Sequence, residues 1–66
     1  MNFEEFEKKI FEKGYGIVAM NHYFINNECH LFCVILNTKK QIAFKSEGEN
    51  SYEVFENIYN QIINSK

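Results

Sequence analysis

Residues 29 to 36, Cys-His-Leu-Phe-Cys-Val-Ile-Leu, form a nearly unbroken apolar run in a chain of only 66 residues, and that run limits the folds open to it. Val34-Ile35-Leu36, with turn-forming residues on either side of the run, favours a strand over a helix. In a strand, Cys29, Leu31, Cys33 and Ile35 point one way while His30, Phe32, Val34 and Leu36 point the other. Neither side is polar. Such a strand belongs in the middle of a small sheet, and each of its faces needs something to lie against.

The rest of the chain supplies one cover. Asn2 followed by Glu5 reads as a helix cap, and Phe3, Phe6, Ile10 and Phe11 then share a helical stripe, which gives a helix from about 3 to 13. Glu4, Glu5 and Glu7 precede Lys8, Lys9 and Lys13, the order favoured by the helix dipole, and Gly14 is placed to end the helix. Tyr15 to Phe24 reads as a first strand, Asn26-Asn27 as a turn, and Cys29 to Leu36 as the second strand. Asn37 to Lys40 is a hairpin connection, and residues 41 to 46 are the third strand. Asn50 to Glu53 is a second cap, and Tyr52, Phe55, Ile58, Tyr59, Ile62 and Ile63 make a stripe over a helix from about 51 to 64.

The expectation is a single α+β domain over residues 1 to 66, ordered α-β-β-β-α, with a three-stranded antiparallel meander and two helices. Two helices cover one face. The other is left as an apolar patch, which calls for a partner, a second copy of the chain, or a flap such as Phe24-Ile25 folding over it.

Composition narrows the function. All seven bases are Lys, all nine acids are Glu, Arg is absent and the net charge is −2. Without Arg, and with its lysines scattered, the chain is not expected to bind nucleic acid directly. No apolar stretch approaches the roughly 18 residues of a membrane span, and the acidic start is unlike a signal peptide, so a cytoplasmic location is expected, with no membrane partner. Two cysteines in a reducing compartment are expected to remain thiols.

Cys29, His30 and Cys33 are the first candidates for chemistry. Along a strand the two cysteines stand about 13 Å apart, at roughly 3.3 Å per residue, and His30 faces away from both. They read as small core hydrophobes, in preference to a zinc site completed by His22. Nucleophilic catalysis would also need an orienting acid and a cleft, so neither an enzyme nor a cofactor is expected. Glu47, Glu49, Glu53 and Glu56 crowd the entry to the second helix. Acids there are favoured by the helix dipole alone, but they also offer a negative surface to a basic groove.

The segments "MNFEEFEKKIFEKGYGI" and "NNECHLFCVILNTKKQIAFKSEGENSYEVFENI" resemble, in order and spacing, the small prophage-encoded anti-CRISPR proteins that block type II RNA-guided DNA nucleases. The likeness rests on the Lys13 to Tyr15 helix exit and the acidic stretch Ser46 to Ser51. It implies a non-catalytic inhibitor that works in a host bacterial cell, its carboxylates imitating DNA where the nuclease reads a short tag with basic side chains. By that resemblance Glu47, Glu49 and Glu53 are candidate contacts. In the turn between the second and third strands, where the family carries acids, this chain has Asn37, Lys39 and Lys40. The family's further acidic helix has no counterpart here. His30 and Phe32 are candidates on separate grounds, as the apolar face of the middle strand. Two readings stand at this point: an inhibitor of a CRISPR effector, and a homodimeric structural or regulatory domain that pairs through the open sheet face.

Overall fold

A computed structural model describes residues 1–65. It has helix α1 (Phe3–Glu12), strands β1 (Gly16–Ile25), β2 (Glu28–Asn37) and β3 (Ile42–Gly48), and helix α2 (Ser51–Asn64). The sheet is antiparallel in the order β1-β2-β3, as a meander requires, so the apolar run is indeed its centre. Among the described residues no helix is long and apolar enough to cross a membrane.

Local chemistry accounts for the boundaries. The Asn2 side-chain oxygen accepts from the Glu5 backbone N–H at 2.8 Å, and Asn50 does the same for Tyr52 at 2.9 Å, so both expected caps form. At the end of α1, Gly14 takes φ +91 while its N–H donates to the Phe11 carbonyl and that of Tyr15 to the Ile10 carbonyl. This pair of bonds closes the helix, and buried Tyr15 and Ile10 pack beside it. Asn26 and Asn27, at φ 51 and 66, make a two-residue turn of the mirror-image kind that matches strand twist.

Both helices lie on the same side of the sheet. Leu31, Cys33 and Ile35 of β2 are buried there with Phe6 and Ile10 of α1 and Val54, Phe55, Ile58 and Ile62 of α2. Phe6 stacks on Phe55 with ring centres 4.6 Å apart, which locks the helices together. The expected stripes are partly displaced. Phe11 is 78% exposed, because α1 turns Phe6 and Ile10 inward and leaves the residue after Ile10 on its flank. In α2, Val54 is buried in place of the exposed Tyr52, and Ile63 stays outside. Tyr59 remains at the helix–helix seam with the Lys9 ammonium 5.3 Å from its ring centre.

Two other expectations are corrected. Cys33 is a core hydrophobe, fully buried, and burial pushes its thiol up to about 11. Cys29 shares its face but is exposed, because the β1–β2 hairpin reaches past the helices. Nor do Phe24 and Ile25 form a flap: they continue β1 in register with Cys29 and Glu28 and are exposed.

Two measurements check this packing. Ile58 is fully buried, so Ile58→Ala should lower unfolding free energy by about 3 kcal/mol in urea titration; a loss under ~1 kcal/mol would place Ile58 outside the core. A thiol reagent should modify Cys29 at once in the native protein and Cys33 only on unfolding. Two equally fast thiols would contradict the burial of Cys33.

Candidate functional site: the open face of the sheet

The side of the sheet away from the helices carries the second half of the β2 alternation. His30, Phe32, Val34 and Leu36 run down its middle, each half-buried by neighbouring strands alone. Register supplies the flanks: Tyr23 lies opposite His30, Asn21 and Glu47 on either side of Phe32, and Ala19 and Lys45 on either side of Val34. Glu28 is two residues before His30 on the same face, and Glu49 lies one step past the Gly48–Leu31 pair.

The structure therefore unites candidates that the sequence separated. Glu47 is not in a loop. β3 runs on through Gly48, because β2 still offers Phe32 and Leu31 as partners, although Glu and Gly are weak strand formers. Glu47 and Glu49 consequently share a surface with His30 and Phe32. Glu53 belongs to the first turn of α2, exposed, with its N–H facing the Asn50 cap at 3.4 Å.

Asn37, Lys39 and Lys40 lie at the other end of β2, about 23 Å from His30 at roughly 3.3 Å per residue. The Asn37 side chain is buried, and its oxygen accepts from the Lys39 and Lys40 backbone N–H groups at 3.1 Å each. It shapes the turn, while both lysines are exposed.

Polar contacts fix the His30 end of the face. The Tyr23 ring stacks on the His30 ring at 5.4 Å, and its hydroxyl donates to Glu47 Oε2 at 2.9 Å. That bond, followed by lesser desolvation and the Glu47 charge, raises the Tyr23 phenol above its usual range. Glu49 is held above the ordinary carboxylate range chiefly by a hydrogen bond with Glu28, then by the Glu28 charge, while His30 pulls it the other way. His30 Nε2 stands 3.9 Å from Glu49 Oε1, at the outer limit of an ion pair when the ring is protonated.

Tyr23 and Glu28 were not apparent as site residues in the sequence. The signal for Tyr23 was the two-residue turn, which fixes it opposite His30. Glu28 falls between the Asn26-Asn27 turn and the expected start of the second strand at Cys29, outside both.

Glu28, His30 and Glu49 each present one ligand atom, all within 4.8 Å of one another. A divalent cation could use such a set, yet two exposed acids sharing a proton beside a histidine account for it equally well. The Cys29–His30–Cys33 cluster is taken apart, since the cysteines face the helix side and His30 the open side. No family model, curated protein or solved structure matches this chain.

The Glu28–Glu49 pair has a signed pH consequence. A carboxyl with a raised folded pKa contributes stability that is complete below its unfolded pKa and lost as pH rises through the folded value. Glu49→Gln, which mimics the protonated acid, should therefore raise the melting temperature at neutral pH and leave it unchanged in acid. An equal shift at both pH values would mean that the Glu28–Glu49 pair is not its source.

Proposed function

We propose that this chain is a non-catalytic binding protein that docks through the open face of its sheet onto a basic, partly apolar surface of another protein, and that this partner is a CRISPR effector nuclease whose nucleic-acid recognition or cleavage it blocks. The observation that carries the docking is the placement of Glu28, Glu47 and Glu49 around the half-buried row His30, Phe32 and Val34. The apolar row gives area to bury. The carboxylates meet lysine and arginine side chains that would otherwise hold phosphate, which speeds encounter and sets orientation. The resemblance of the Lys13 to Tyr15 exit and the Ser46 to Ser51 stretch to anti-CRISPR inhibitors supports the identity of the partner.

Cys33 is buried with its thiol pushed up to about 11, and exposed Cys29 points to the opposite side from His30, so neither cysteine takes part in the proposed docking face. Charge also separates the two readings of this face. Two copies stacked through it with their strands parallel would bring Glu28, Glu47 and Glu49 toward their own duplicates, with Lys45 the lysine among the described residues of the face to offset them. A basic partner meets no such repulsion.

Binding to purified guide-loaded effector nucleases, followed by DNA cleavage, tests the proposal. Wild-type protein should inhibit at least one effector type. The double reversal Glu47→Lys, Glu49→Lys should lose on the order of tenfold or more in potency with an unchanged far-UV circular dichroism spectrum. Absence of binding and inhibition across the main effector types would sink the proposal; full potency in the reversed variant would remove the open face from it.

A further inference from the structure

The two edges of the sheet are not alike. β3 carries Lys45 and Glu47, and the Gln61 amide of α2 donates to the Lys45 carbonyl at 2.9 Å, so charge and a helix side chain both guard that edge. β1, Gly-Ile-Val-Ala-Met-Asn-His-Tyr-Phe-Ile, contains no Lys, Glu or Pro along its ten residues. The exposed large apolar residues also gather there: Val18, Met20, Phe24 and Ile25. The irregularity at Val18 disturbs only the first part of the strand, and from Ala19 to Ile25 the pairing with β2 is continuous.

Which backbone groups of β1 are free follows from the turn. In a two-residue hairpin the closing pair, here Ile25 and Glu28, exchanges both hydrogen bonds, and bonding then alternates along the strand. Ile25, Tyr23, Asn21 and Ala19 therefore turn their N–H and C=O toward β2, while Phe24, His22 and Met20 turn theirs outward. The same alternation carried across β2 sends the Lys45 backbone outward from β3, and its carbonyl is the one that Gln61 takes.

We infer that β1 is a self-pairing edge, whose occupant is β1 of a second copy of this chain, antiparallel and centred on His22. In that register His22 faces its own duplicate, Met20 faces Phe24 of the other copy, and each pair exchanges two backbone hydrogen bonds. Charge favours a second copy as occupant. Neither strand carries Lys, Arg or Glu, so the titratable side chain brought against its own duplicate is His22 alone, and Met20 and Phe24 each gain an apolar neighbour across the dyad. The product is a six-stranded sheet, β3-β2-β1-β1-β2-β3, with all helices on one side and both open faces on the other. This pairing is independent of the proposed function and leaves that face free, twice over.

Light-scattering mass after gel filtration, over a dilution series, tests the pairing. Wild-type protein should run at twice the chain mass. The double variant Met20→Lys, Phe24→Lys should halve it with an unchanged far-UV circular dichroism spectrum, since every introduced lysine then opposes another across the dyad and both native side chains are exposed. In a Cys29→Ser background, His22→Cys should form an interchain disulfide on mild oxidation, whereas Glu47→Cys on the guarded edge should not. Glu47→Lys, Glu49→Lys should keep the doubled mass. A wild-type monomer throughout the series, a dimer that survives the two lysines, or cross-linking at position 47 instead of 22 would each overturn the assignment.

Discussion

Burial of Leu31, Cys33 and Ile35 beneath the two helices is the interaction on which everything else rests. A domain this small, with two free thiols and no disulfide, has few large side chains to spare, and this side of β2 is where those of α1 and α2 converge. Phe6 stacked on Phe55 then fixes the helices as one layer. Because a strand alternates strictly, committing those three residues to the core sends His30, Phe32, Val34 and Leu36 to the other side. The open face is the obligatory reverse of the core, and its apolar character follows from an apolar run placed in the centre of a one-sided sheet.

Charge then decides what each apolar surface can accept. On the open face, acids from the start of β2 and around the end of β3 surround the row, and the proposed basic partner rests on that charge pattern. Along β1 charge is absent, so like can meet like. The proposed docking face and the proposed self-pairing edge would thus differ in selectivity, one set by side chains and the other by unpaired backbone.

The architecture was legible because its signals are local. Asn2 and Asn50 announced the helix starts, Gly14 the exit of α1, Asn26-Asn27 the first hairpin, and the β2 alternation put Leu31, Cys33 and Ile35 on one side of the sheet. The site was legible only in pieces. Glu47 lay beyond the expected third strand because Glu and Gly weaken a strand pattern, and it is pairing across to Phe32 and Leu31, a nonlocal effect, that keeps Glu47 and Gly48 in the sheet and sets Glu49 just past its end. Tyr23 and Glu28 joined the site through register, which only the folded hairpin reveals. Cys29 and Phe11 failed as core residues for a shared reason: a periodic pattern says which side a residue faces, but not whether another element reaches far enough to cover it.

That last point bears on the β1–β2 hairpin, whose tip projects beyond the helices and exposes Phe24, Ile25 and Cys29. Near the tip, the backbone ladder and surface contacts such as the Tyr23–His30 stack hold the strands together, whereas from Leu31 onward the core holds them as well. Resistance to opening is accordingly graded along a single strand. The Glu28 and His30 amides should therefore exchange with solvent more readily than those of Cys33 and Ile35, which the core holds. Tyr23, Glu28 and His30 lie at the loose end. A partner gripping them would hold the end of the hairpin that the core does not, so part of its binding free energy would offset the ordering of that end.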